Sequence, residues 1–273
     1  MQSPSPLSLA NSLSKSKVFF RHAHWQGRRY CIQCKNRKIY RLKDGRFKCS
    51  RCAFKFQEFT ATYLESVQVP LNELAHLLYL FILGVPAYRC RQYVQVSLKT
   101  VYKVYTLFRQ AIYDQSLKEL KTLSGTIEMD EAMFGGKRKG KRGWGAAGKH
   151  LVFGIYQRNG KVITLPVPNR KTKTLTHLIM KYTGPGSLYY TDDWHAYTGL
   201  SVRGEHVVVK KEQGKPKAKG RGHLNSIEGF WSYAKNWFYQ YRGIPHHQGD
   251  CGPCTVKFRF NHRNEDLFWL LAK

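Results

Sequence analysis

Acid is what this sequence has least of. Against 46 Lys and Arg stand 17 Asp and Glu, a formal net charge of +29 over 273 residues, and the first 43 residues contain no acid at all. Such an imbalance excludes a charge-balanced surface and makes a polyanion the natural partner. Long apolar runs are also missing. No stretch approaches the ~20 apolar residues that a spanning helix needs, so a membrane is not the expected partner. No secretory signal is visible. The Ser-rich, acid-free start has the texture of an organelle transit peptide. A metal module that begins by Cys31 favours a plain flexible leader instead, over residues 1–22. Aromatic residues are not scarce: at 14% they exclude a disordered polycation. The length allows one to three domains with a substantial core.

The positive charge comes in blocks. One holds Lys137, Arg138, Lys139, Lys141 and Arg142; the other runs from Lys210 to Arg221 and includes Lys215, Lys217 and Lys219. A protein merely kept soluble by charge would spread it more evenly. These blocks are expected to contact nucleic-acid phosphates.

Four of the seven cysteines form two C-x-x-C pairs, Cys31/Cys34 and Cys49/Cys52, with fourteen residues between them. Each pair offers two thiolates to one tetrahedral ion, and a hairpin around Asp44-Gly45 would bring the pairs together. This spacing predicts a zinc ribbon over residues 23–62 with a structural Zn²⁺, in a reducing compartment. Arg37, Lys38, Arg41 and Lys43 could contact DNA, or the ribbon could serve only to fold the N-terminus.

Residues 63–122 read as helical. Leu71, Leu74, Leu77, Leu78, Phe81 and Ile82 follow helical spacing behind Pro70, and Gly84-Val85-Pro86 ends the run. A second helix is expected over 88–94. A third, capped by Ser97, carries Val101, Val104, Tyr105, Phe108 and Ile112 on one face. This is a helix-turn-helix pattern, and it would expose Lys99, Thr100 and Lys103 to a major groove. An ordinary linking bundle is the plainer alternative.

From residue 123 to 273 the texture changes. Strands are expected at 126–134, 150–156, 161–167, 187–191 and 206–209, with an Asn159-Gly160 hairpin turn. A helix at 174–182 separates the third strand from the fourth, and another begins at about Asn225. Three strands, helix, strand, strand, helix is the order of a ribonuclease-H-like α/β fold. In that order Asp130 and Asp192 would project from neighbouring strands, and Glu228 would be laid across them by the last helix. Such acids suit two Mg²⁺ or Mn²⁺ ions, about 3.5–4 Å apart, for in-line displacement at a phosphodiester. Lys235, seven residues after Glu228, would stand on the same helix side, near a DNA phosphate.

Taken singly, each acid is as readily a turn residue or half of a solvated pair. Their joint placement is what argues for a site. Alternation along a strand admits only one of Asp130 and Glu131, and one of Asp192 and Asp193, without choosing between them. His223 and Asn225 could bind phosphate; capping of the helix by Asn225 is the favoured reading.

At these residues the chain resembles DDE-type insertion-sequence transposases with an N-terminal zinc ribbon. The resemblance is carried by 129–137, by Tyr190-Thr191-Asp192-Asp193-Trp194-His195-Ala196-Tyr197, by 223–235, by Tyr241-Arg242-Gly243-Ile244-Pro245 and by Phe258-Arg259-Phe260-Asn261-His262-Arg263. It implies Asp130, Asp192 and Glu228 as catalytic, metal-binding acids, with Asp192 preferred over Asp193, and Lys235 as a companion basic residue. It implies two Mg²⁺ ions, double-stranded DNA as partner (element ends and target), a homodimer or higher multimer on DNA, and work at a bacterial nucleoid. The alternatives are a non-catalytic zinc-ribbon and helix-turn-helix DNA-binding protein, a transposase relic, or a structure-specific nuclease. One segment departs from the family pattern: where an amphipathic helix is expected, residues 246–257 carry His246, His247, Cys251, Gly252, Pro253 and Cys254. Gly and Pro there predict a loop.

Overall fold

The computed structural model describes residues 4–135, 149–193, 195–209, 223–241 and 251–273. The basic residues Lys137, Arg138, Lys139, Lys141, Arg142, Lys215, Lys217, Lys219 and Arg221 lie outside the described residues. In chain order the elements are α1 (Pro6–Ala10), α2 (Leu13–Trp25), β1 (Ile39–Arg41), β2 (Phe47–Cys49), β3 (Lys55–Phe56), α3 (Leu71–Ile82), α4 (Ala87–Cys90) and α5 (Leu98–Lys118). There follow β4 (Thr126–Phe134), β5 (His150–Gln157), β6 (Val162–Pro166), α6 (Thr172–Tyr182), β7 (Leu188–Thr191), a 3-10 helix (His195–Val202), β8 (Glu205–Val208), α7 (Asn225–Tyr239), α8 (Cys251–Asn261) and α9 (Leu267–Ala272). They fall into two compact units: Met1–Ala111 with Asn264–Lys273, and Ile112–Arg263.

In the first unit, the expectation of a disordered leader is corrected. Residues 6–25 form α1 and α2, with the Ser12 side chain accepting from the Lys15 N–H at the start of α2. The reason is burial. Leu9, Phe19, Phe20, Ala23 and Trp25 are all buried, and the two helices pack with α3 and α9. Phe19 meets Phe268 and Trp269 at ring-centroid distances of 5.2 and 5.4 Å. Trp25 joins Phe47 and Phe56 in the small core beneath the ribbon.

The ribbon itself is a three-stranded antiparallel sheet, β1-β2-β3. Its tight turn uses Gly45 at φ +85°. Further on, α3 ends where Gly84 takes φ +77°, and α4 starts behind Pro86. The expected second helix is one turn long, not seven residues. At the start of α5 the Ser97 hydroxyl accepts from the Thr100 N–H. Val101, Val104, Tyr105 and Phe108 are buried; Lys99, Tyr102 and Lys103 are exposed.

The second unit is built on a five-stranded sheet in the order β6-β5-β4-β7-β8. The pairs β6-β5 and β5-β4 are antiparallel; β4-β7 and β7-β8 are parallel. An antiparallel trio extended by parallel strands, with β4 at the centre, is the order expected from the sequence. Alternation along β4 divides its side chains. Ile127 and Met129 enter a core with Phe153, Ile155, Tyr189 and the α6 residues Leu175 and Ile179. Ala132 and Phe134 enter another with Tyr190 and the α7 residues Ile227, Phe230 and Trp231. Helices therefore cover both faces of the sheet.

The expected loop at 246–257 is also corrected, for its second half. From Cys251 the chain is helical, and Pro253 falls in the first turn of α8, where no intrahelical N–H bond is lost. Cys254, Val256, Phe258 and Arg259 are buried, and α8 packs against β6 and α7. The Asn261 side-chain amide closes the edge strand, accepting from the Val162 N–H and donating to its carbonyl, both at 2.9 Å.

Candidate active site and cysteine cluster

The cysteine cluster is already gathered. The sulfur atoms of Cys31, Cys34, Cys49 and Cys52 all lie within 4.8 Å of one another. Cys31–Cys52 and Cys34–Cys49 are each 3.5 Å apart, far beyond a disulfide and close to the ~3.8 Å edge that a tetrahedron of Zn–S bonds would have. The Arg51 N–H and the Asn36 amide point at the Cys49 sulfur, at 3.3 and 3.5 Å. Burial disfavours its thiolate, but the Cys52 and Arg51 backbone N–H groups, Asn36 and Cys34 prevail and lower the thiol to about 6. Cys52 moves the other way, up to about 12: the Phe54 N–H favours its thiolate, while burial and the three neighbouring sulfurs oppose it. Four thiols so close cannot all ionise without a cation between them, and the donor set fits a soft tetrahedral ion.

The three acids are held differently. Asp130 is at the middle of β4, Asp192 immediately follows β7, and Glu228 is in the first turn of α7. All three are half-buried. The parallel register pairs Thr126 with Leu188 and Glu128 with Tyr190; carried on by two residues, it brings Asp192 level with Asp130. Asp130 shares its side of β4 with Ala132 and Phe134, which α7 covers together with Tyr190; Asp192, two residues after Tyr190 and just past the end of β7, has its carboxylate 3.8 Å from Arg170. Hard oxygen donors on these three elements suit a hard divalent cation. Among the described residues, only the cysteines gather three or more potential ligands within 4.8 Å.

Glu131 and Asp193, the neighbours of Asp130 and Asp192, have different surroundings. Glu131 is on the opposite side of β4 and its carboxylate is fully buried: it accepts from Arg170 at 2.7 and 3.1 Å and from the Tyr197 hydroxyl at 2.6 Å. Asp193 is exposed, whereas the Asp192 carboxylate lies 3.8 Å from the Arg170 guanidinium. Burial, then the charges of Glu131, Asp192 and Asp130, push the Tyr197 phenol well above its ordinary range. That buried hydroxyl therefore senses three carboxylates at once.

Glu128, two residues before Asp130, was not singled out by sequence, and it replaces the expected cap. Asn225 is exposed within α7; the N-cap position is Leu224, which makes no side-chain cap. The Ile227 N–H instead donates to Glu128 at 2.9 Å. Opposite Asp130 on β5 stands Gly154, and a Cβ there would collide with the Trp231 ring of α7. Its missing side chain lets the helix lie down on the sheet. His223 Nδ1 accepts from the Asn225 N–H at 3.3 Å. Lys235 is exposed on α7; on α5, Lys103 donates to the Ser66 carbonyl at 3.1 Å.

Residues 122–251 match the ISXO2-like transposase domain family. An uncharacterised transposase-like protein of Haemophilus influenzae is 30% identical over 102 residues, 37% of this chain and 82% of that protein. This chain belongs to the DDE-type insertion-sequence transposases. A second relative, an uncharacterised protein in the transposable element ISH50 of Halobacterium salinarum, is 25% identical over 245 residues, 81% of each chain. The family match begins just before β4 and spans the elements that carry Asp130, Asp192 and Glu228. Among solved structures, the catalytic core domain of BIV integrase covers 52% of this chain and 86% of its own, at 12% identity and a TM-score of 0.33. At that distance the fold assignment rests on the strand order of this chain itself.

Proposed function

We propose that this transposase cleaves DNA at the terminal inverted repeats of its element and joins the resulting 3′ ends to target DNA, using Asp130, Asp192 and Glu228 as acids. The register supports the reading: the parallel neighbours β4 and β7 pair through Glu128 and Tyr190, two residues before Asp130 and Asp192, and α7, whose first turn holds Glu228, covers that side of the sheet. Two Mg²⁺ or Mn²⁺ ions held by these acids would activate the attacking oxygen and stabilise the leaving one. Lys235 adds a cation for the DNA backbone. Arg170, fixed by Glu131, holds positive charge beside Asp192 while that acid stays accessible, with 30% of its side chain exposed.

The cysteine cluster is read as a structural Zn²⁺ site. Lys99 and Lys103 on α5, and the blocks around Lys137 to Arg142 and Lys215 to Arg221, are read as contacts to double-stranded DNA. Paired ends call for a homodimer or higher multimer. Among the described residues no helix is long and apolar enough to cross a membrane.

Purified protein with Mg²⁺ or Mn²⁺ should join pre-cut element ends to a plasmid. Glu228→Gln should abolish joining while end binding persists in a mobility-shift assay. Joining by that variant would remove Glu228 from the site. A protein that binds ends and never joins them would instead be a DNA-binding relic.

A further inference from the structure

Glu128 is a fully buried carboxylate on a chain short of acids, and nothing in the reaction proposed above uses it. It sits within two residues of Asp130 and faces the same side of β4. Its Oε1 accepts from Arg158 Nε at 2.6 Å and its Oε2 from the Ile227 N–H at 2.9 Å. Arg158 also donates to the His223 carbonyl at 2.6 Å, and its guanidinium lies 4.1 Å from the centroid of the Tyr190 ring. This pair, its carboxylate fully buried and its guanidinium half-buried, thus touches β4, β7 and the start of α7, next to each of the three acids: Tyr190 is two residues from Asp192 and Ile227 is adjacent to Glu228.

A buried ion pair contributes little net stability against apolar residues of the same size. What this pair can contribute is position. The N-cap residue Leu224 offers no side-chain acceptor; His223 Nδ1 takes the Asn225 N–H and Glu128 takes the Ile227 N–H, and a carboxylate is favoured at a helix N-terminus. The Glu128 oxygen therefore determines where the first turn of α7 sits on the sheet. We propose that Glu128, clasped by Arg158, is a positioning residue that sets α7 so that Glu228 meets Asp130 and Asp192. The proposal rests on the reading of those three acids as the reacting groups.

Its effect should be large for a residue that touches neither metal nor DNA, since a misplacement of about 1 Å can cost about 10²-fold in rate. Glu128→Gln keeps the shape and an acceptor for Ile227 but loses the charge that holds Arg158. It should join pre-cut ends at least tenfold more slowly than the parent, at a temperature where both are fully folded, and need more Mn²⁺ for half-maximal rate. End binding should not change. Hydrogen exchange should speed up at Ile227 to Trp231 and stay as in the parent across α8. Glu128→Met with Arg158→Met leaves no unpaired buried charge, so it keeps the test open if the single change unfolds the chain; it should fold, bind ends and join poorly.

Parental joining rates and parental exchange in the α7 first turn, in a folded variant of either kind, would overturn the proposal. Exchange that speeds up evenly over the whole unit, with joining restored on cooling, would reduce Glu128 to a stability role and overturn it as well. Glu228→Gln, run alongside, separates the two failures. If Glu228→Gln still joins ends, the three-acid reading is wrong; if it is dead while the Glu128 variants are normal, only the positioning role is.

Discussion

The four cysteines and the three acids are both candidate metal ligands, and the fold treats them in opposite ways. The cysteines come in two close pairs on one hairpin, and their sulfurs are within 4.8 Å of one another. The acids come from a central strand, the end of its parallel neighbour and a helix, with 35 residues between Asp192 and Glu228, and each is half-buried. Local ligands can be gathered by a turn. Distant ones need a scaffold, and here buried glutamates paired with half-buried arginines brace both faces of β4: Glu128–Arg158 towards α7 and Glu131–Arg170 with Tyr197 towards the other side. A closed sulfur site suits an ion that holds structure; a half-open oxygen site leaves room for phosphate and water.

Removing metal should separate the two regions most sharply. A strong chelator, or Cys31→Ser, should release one zinc per chain, measured with a chromogenic zinc dye, and unfold the ribbon, because metal binding and folding are coupled there. Hydrogen exchange in β4 to β7 should be unchanged. Loss of protection in both units together would mean that the ribbon is not an independent metal module.

A smaller effect is expected from Gly154→Ala. The new methyl collides with Trp231 and Ile227, so α7 must shift on the sheet. Overpacking of this kind costs about 1–3 kcal/mol, readable as a drop in the denaturation midpoint, and joining should fall further than stability alone explains. A variant as stable as the parent would show that α7 is not pressed against β5.

The smallest effect concerns pH. Burial lowers His206 below its ordinary 6.5, beside Thr191, whose hydroxyl is 2.8 Å from its ring nitrogen. A histidine kept neutral by the fold contributes its full stability above that ordinary value and loses it as the pH falls towards the depressed one. The melting temperature should therefore decline from about pH 6.5 downward, and His206→Gln should flatten that decline. An unchanged slope would assign the acid sensitivity elsewhere.

Much of this frame was legible beforehand, because strands and local ligand pairs announce themselves at short range. The five strands, the Asn159-Gly160 turn and the Asp44-Gly45 turn all depend on alternation and turn chemistry within a few residues. What was missed depends on partners far along the chain. The cap of α7 comes from a residue 99 positions away, and no local pattern distinguishes Glu128 from Glu131 as acids to be buried. The leader looked disordered because its serines and lysines outweigh Phe19, Phe20 and Trp25 in composition, whereas packing counts only the apolar face. Pro253 suggested a broken helix because a helix start cannot be told from a helix interior without the neighbouring structure. The preference for Asp192 over Asp193 comes from the family resemblance, because alternation alone does not choose between adjacent residues.

The central claim is that Asp130, Asp192 and Glu228 converge on divalent cations. A crystal structure of the protein soaked in Mn²⁺, with the ions located by anomalous scattering, tests it directly. Two ions within about 4 Å of each other, bound by those three carboxylates with Asp130 between them, is the result expected. Manganese held by Glu131 or Asp193, or no ion among the three acids, would contradict it.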